Sequence, residues 1–219
     1  MPGLNHVSRG SAPLTLTLSP TVTLTKVSVG PGDNNSYLLE AADALLLIDA
    51  ADDAQTLLGL LGGRRPDTVV TTHRHADHWQ ALAALAGTGA RLVAGRPDAE
   101  AVAAGAGVAQ PDGVWDGDRV PLGAEQLTVI GLVGHTPGSI TLAYAGPDGP
   151  AHLFTGDGLF PGGPGRTRNP ADFASLMDDL ERKVFGAYPD DTVVHPGHGD
   201  DTTLGTERPA LAQWRARGW

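Results

Sequence analysis

The chain has 219 residues, 41% of them hydrophobic, and a formal net charge of -10, enough for one sizeable core and an expected single domain over 1–219. The charge counts against nucleic acid as a partner, because phosphate contacts need clustered lysine and arginine, and the lack of cysteine excludes disulfides and thiolate metal sites. No apolar run approaches the length of a membrane span, so a soluble cytoplasmic protein with no membrane partner is expected.

In chain order, Pro13 to Leu18 alternates like a strand, and further strands are predicted near Val22 to Val29 and Ser36 to Glu40, with Pro31-Gly32-Asp33-Asn34 as the turn between them. Leu45-Leu46-Leu47-Ile48 is a buried-looking run that ends on Asp49. A helix follows from Asp53 to Leu61, then a buried strand at Thr68 to Thr71 and a helix from Gln80 to Leu85. Arg91 to Ala94 reads as a strand before an alanine-rich helix from about Pro97. A second set of strands begins near Leu127 and continues through Ser139 to Tyr144 and His152 to Thr155. Phe173, Leu176, Leu180 and Val184 then give Ala171 to Phe185 helical spacing. No short fixed repeat is present.

Chemistry concentrates in loops that follow the apolar runs. His73-Arg74-His75-Ala76-Asp77-His78 places three imidazoles and a carboxylate in six positions. His73 and His75 project to one side of an extended segment and can grip one ion, while a turn into a helix aims Asp77 and His78 at a second. His135 lies in Gly-His-Thr-Pro-Gly, Asp157 in Thr-Gly-Asp-Gly and His198 in His-Pro-Gly-His-Gly. Glycine and proline allow the sharp turns that bring such side chains together. Imidazole and carboxylate without thiolate suit zinc, iron or manganese.

These motifs, in this order, resemble the metallo-β-lactamase superfamily. The closer likeness is to its small single-domain glyoxalase II-like hydrolases, through Thr155 to Phe160, Gly165-Arg166-Thr167, Pro189 to Gly199 and Thr202 to Gly205. The resemblance implies an α/β fold, an αββα sandwich of two mixed sheets flanked by helices. It implies two zinc ions per chain, one held by His73, His75 and His135 and one by Asp77, His78 and His198, with Asp157 bridging them. Asp49 matches a strand-end aspartate that orients a ligand. The implied activity is hydrolysis of a hydroxyacyl-thiol thioester, a small-molecule substrate, by attack of a metal-bridging hydroxide.

Trp79-Gln80 and Arg168-Asn169 depart from the pattern of these enzymes, so the substrate pocket differs; Arg166, Thr167 and Trp79 are the candidate substrate-binding residues. His195 reads as structural. Two alternatives share the site: a persulfide dioxygenase with one iron at His73, His135 and Asp157, and a lactone or ester hydrolase. No pattern encodes an oligomeric state.

Overall fold

The computed structural model describes residues 4–218. Strand alternation and short apolar runs build two sheets in it. The first joins β1 (Leu14–Ser19), β2 (Val22–Ser28), β3 (Asn35–Ala41), β4 (Ala44–Ile48), β5 (Thr68–Thr71), β6 (Arg91–Gly95) and β7 (Asp112–Val114) in that order. β1 to β4 pair antiparallel and β4 to β7 parallel. The second contains β8 (Arg119–Leu122), β9 (Glu125–Gly131), β10 (Ile140–Tyr144), β11 (His152–Gly156), β14 (Val193–Pro196) and β15 (Thr202–Thr203). A separate ribbon pairs β12 (Leu159–Phe160) with β13 (Gly163–Pro164).

The sheets face each other across a core that includes Leu24, Leu39, Leu46, Ile48 and Val70 from one side and Leu127, Val129, Ile140, Leu142 and Phe154 from the other. The outer face of the first sheet is covered by α1 (Ala54–Leu61), α2 (Leu82–Ala86) and α3 (Ala99–Ala106). That of the second is covered by α4 (Pro170–Asp179), the segment after it and the chain's last helices, α5 (Leu204–Glu207) and α6 (Leu211–Arg217). This is the αββα sandwich of mixed sheets. β4 shows why a continuous apolar run is a strand here: with a helical layer on one side and the inter-sheet core on the other, both of its faces are buried.

Three features differ from the expectation. β7 and β8 are short and partly exposed, and carried too weak a pattern to be read. The helix expected over Ala171 to Phe185 is α4 followed by a wider π-helical turn over Leu180–Phe185, in which Lys183 Nζ donates to Gly131 O at 2.7 Å. Trp214 of α6 is buried against Phe185; Trp219 lies outside the described residues.

A charged tie crosses between the sheets. Lys26 of β2 is fully buried and donates to Asp201 Oδ1 and to Gly199 O, both at 2.7 Å. Asp201 Oδ2 accepts from Asn5 Nδ2 at 2.9 Å and lies 2.9 Å from His195 Nδ1, whose Nε2 is 3.0 Å from His152 Nδ1. Removing one partner of a buried ion pair strands the other charge. Asp201→Ala is therefore expected to cost about 3–5 kcal/mol in urea unfolding followed by circular dichroism; a loss below about 1 kcal/mol would show that Lys26 escapes to water.

Candidate metal centre

Every candidate ligand leaves the same end of the sandwich. Asp49 follows β4, Thr72 and His73 follow β5, His135 lies beyond β9, Asp157 follows β11 and His198 lies beyond β14. Gly156 and Gly197 permit the close approach: a side chain at 156 would collide with Thr72, and one at 197 with Asp157 Oδ1 and His78 Cε1.

The structure brings together all seven expected ligands. His73, His75 and His135 form one group, Asp77, His78 and His198 another, and His73, His78 and Asp157 a third between them, each with ligand atoms within 4.8 Å of one another. His73 Nε2 lies 3.3 Å from His135 Nε2 and 3.0 Å from His75 Nδ1. Asp157 divides between the groups: Oδ2 is 3.6 Å from His135 Nε2, while Oδ1 is 3.3 Å from His78 Nε2 and 3.6 Å from His198 Nε2.

The outer nitrogens fix which ring atom faces inward. His78 Nδ1 donates to Asp49 Oδ2 at 2.8 Å, His135 Nδ1 to Arg166 O at 2.6 Å and His198 Nδ1 to Gly32 O at 2.9 Å. Thr72 Oγ1 donates to Asp49 Oδ2 and accepts from His73 Nδ1. The inner nitrogens are then lone pairs, turned toward each other and toward carboxylates. Such an arrangement repels itself unless a cation sits among them. Two nitrogens on one tetrahedral zinc at about 2.0–2.1 Å stand roughly 3.3–3.4 Å apart, which the His73 to His135 separation matches. His78 Nε2 and Asp157 Oδ1, 3.3 Å apart, are both buried, and neither has a hydrogen-bond partner among the described residues, as befits atoms that would ligate an ion. The donor set fits a metal.

Protonation reflects the same charge imbalance. Burial, followed by the neighbouring histidines, holds His73 well below the usual imidazole range, and burial with His135 lowers His75. Burial alone would lower His78, but Asp49 and Asp157 override it and push it up to about 10. The bond from His198 is the main reason that Asp77 is held low. The site demands positive charge, which either protons or a metal can supply.

Arg166, Thr167 and Arg168 line a cavity of about 350 Å³ with His75 and His135. Trp79 is elsewhere: its ring abuts Gly105 of α3 and its Nε1 donates to Arg74 O at 2.9 Å. Of the two readings of Trp79, helix packing or pocket wall, these contacts accord with packing on the layer beneath the loop. Asn34, read only as part of a turn, donates to Asp77 O and Oδ2 at 3.0 and 3.1 Å. Its place in a Pro-Gly-Asp-Asn turn signalled geometry but gave no hint of that partner.

Residues 29–198 match the metallo-beta-lactamase superfamily, and the chain belongs to that superfamily. Among its relatives, a hydroxyacylglutathione hydrolase from Anaeromyxobacter dehalogenans (strain 2CP-C) is 37% identical over 169 residues, 76% of this chain. The match spans 61% of that relative's length. The crystal structure of TTHA1623 in a di-iron-bound form is 35% identical, with a TM-score of 0.68 over 84% of this chain and 96% of that one. ETHE1 from Myxococcus xanthus is 27% identical, with a TM-score of 0.72 over 87% and 84%.

A pH test follows from His78. Its raised folded-state value means that its charge stabilises the metal-free fold fully below the ordinary 6.5, and that this stability is lost as pH rises toward about 10. Metal binding has the opposite sign, since imidazoles must be neutral to ligate. Urea unfolding in a chelator is expected to show stability falling between pH 7 and 9, with His78→Gln flattening the slope and added zinc reversing it. A rising slope in chelator for the unsubstituted chain would contradict the assignment.

Proposed function

We propose that the chain is a metal-dependent hydrolase with two zinc ions that cleaves a thioester of hydroxyacyl-thiol type to a carboxylic acid and a free thiol. The observation that carries this reading is the division of Asp157, whose two oxygens face two different ligand groups. His73, His75 and His135 would hold one ion, Asp77, His78 and His198 the other, and Asp157 both. Bound there, the pair supplies a water acidic enough to ionise near neutral pH and an electrophile for an acyl oxygen.

The chain's own residues do the rest. Asp49 and Gly32 O hold the His78 and His198 rings with Nε2 inward, and Arg166 O does so for His135. Arg166 and Arg168 line the cavity together with His75 and His135, and their guanidinium groups would bind an anionic part of the substrate. A thiolate departs without full protonation, so no side-chain acid is required. The named relative, a hydroxyacylglutathione hydrolase, supports the thioester class. The di-iron-bound neighbour favours one rival, iron at the same donors, with a persulfide as substrate if a single iron sits on His73, His135 and Asp157.

The test is metal analysis of protein purified without added metal, together with turnover of thioesters, esters, lactones and, with oxygen uptake, persulfides. About two zinc ions per chain and preferred thioester turnover are expected, with Asp157→Ala and His75→Ala losing about 10³-fold or more in rate. One iron per chain with persulfide-dependent oxygen uptake would overturn the reading. Arg166→Ala is expected to raise KM about tenfold for an anionic thioester, the loss of one charge-assisted bond, with kcat nearly unchanged; an equal loss in kcat would place Arg166 in the chemical step.

A further inference from the structure

We infer that Asp98 is a positioning residue for the three-histidine half of the centre, fixing the separation between the His73 to His75 loop and the His135 loop. This rests on the metal-binding reading above. The two loops belong to different sheets, one following β5 and the other β9, so the histidines they carry have no common element to set their spacing.

Asp98 lies between them with its side chain fully buried. Its Oδ2 accepts from the backbone N–H of Arg74 at 3.1 Å, the residue between His73 and His75. The same oxygen accepts from Thr136 Oγ1 at 2.5 Å, the residue after His135. Its Oδ1 accepts from Gly138 N–H at 3.1 Å, with Arg74 Nε at 3.9 Å. Thr136 Oγ1, having donated to Asp98, accepts from Ser139 Oγ at 2.6 Å. A single carboxylate thus gathers three hydrogen bonds from two ligand loops, one from the residue between His73 and His75, one from the residue after His135 and one from Gly138 further along the same loop.

Two further observations show that the arrangement is specific. Asp98 stands immediately before α3, where an aspartate ordinarily caps the helix, yet its side chain makes no capping bond. Its oxygens serve the loops instead. Gly138 and Gly95 carry no side chain where one would collide, at 138 with Asp98 and at 95 with the Gly138 carbonyl. Among the described residues Asp98 has no hydrogen bond to Asp77, His78 or His198, and its direct bonds go to Arg74, Thr136 and Gly138. Its role is to hold two lone-pair nitrogens, His73 Nε2 and His135 Nε2, at 3.3 Å against their mutual repulsion, ready for one ion.

The experiment is competition for zinc between the full-length chain and a chromophoric chelator, with urea unfolding of the metal-free proteins alongside. Asp98→Asn replaces one acceptor oxygen by a donor that must face an N–H or the threonine hydroxyl. It is expected to weaken one zinc equivalent about 10- to 100-fold and to leave the other within about threefold. Thr136→Val, which keeps the shape and removes the hydroxyl that donates to Asp98 and accepts from Ser139, is expected to weaken the same equivalent about fivefold and serves if Asp98→Asn does not fold. Unchanged zinc affinity with reduced metal-free stability would make Asp98 a structural residue and overturn the inference, as would equal weakening of both equivalents. An unsubstituted chain that takes up no zinc would instead overturn the metal-binding reading itself.

Discussion

The centre depends on the carboxylate of Asp49. It ends β4 with φ of 56°, a left-handed conformation that aspartate tolerates better than most residues but that still costs about 1 kcal/mol or more. In that position Oδ1 accepts from Thr72 N–H at 2.7 Å, and Oδ2 accepts from Thr72 Oγ1 and His78 Nδ1, both at 2.8 Å. Because Thr72 has given its proton to Asp49, it can only accept from His73. One carboxylate therefore selects the ring nitrogen presented by His78 and, through a hydroxyl, that presented by His73. His73 also stands with His75 and His135, and His78 with Asp77 and His198, while the two meet in a third group with Asp157, so all three groups share a common origin of orientation.

The same device recurs with different partners. Asp49, Asp98 and Asp201 are all buried, and each accepts bonds from more than one segment of chain. Asp201 takes a lysine from the first sheet and a histidine from β14, steadying the stretch that ends in Gly197, His198 and Gly199. Buried carboxylates are costly unless every oxygen is satisfied. Once satisfied they are stiff, which loops carrying metal ligands require, since a loop has no repeating ladder of its own to resist displacement.

The histidines and aspartates of the centre were legible because each sits in a glycine- or proline-rich turn directly after an apolar run, and a strand end is where loops converge. The layered fold was legible for the same reason. What the sequence hid was the distant partner of several residues outside the ligand motifs. Asp98 precedes an alanine-rich helix and looks like its cap; Asn34 looks like a turn residue; Lys26 sits in an alternating strand and gives no sign of an aspartate 175 residues away. Local propensity describes these positions correctly as backbone and says nothing of where the side chain goes. Trp79 shows the converse. An aromatic beside a ligand motif suggested a pocket wall, yet the absence of a side chain at Gly105 leaves a space that the indole fills.

Arg166 links the metal centre to the cavity through one peptide unit. Its carbonyl accepts from His135 Nδ1, which commits Nε2 to the centre, while its exposed side chain borders the adjoining cavity. The two duties are separable, because a substitution removes the guanidinium and leaves the carbonyl. They are also coupled in space: any anion drawn to the side chain is brought beside the histidine that the same residue orients. Gly165, just before it, has no room for a Cβ against the Asp157 carbonyl, so this segment is pressed onto the loop that carries Asp157. The place where this segment meets His135 and Asp157 is thereby set by the backbone of Gly165 and Arg166.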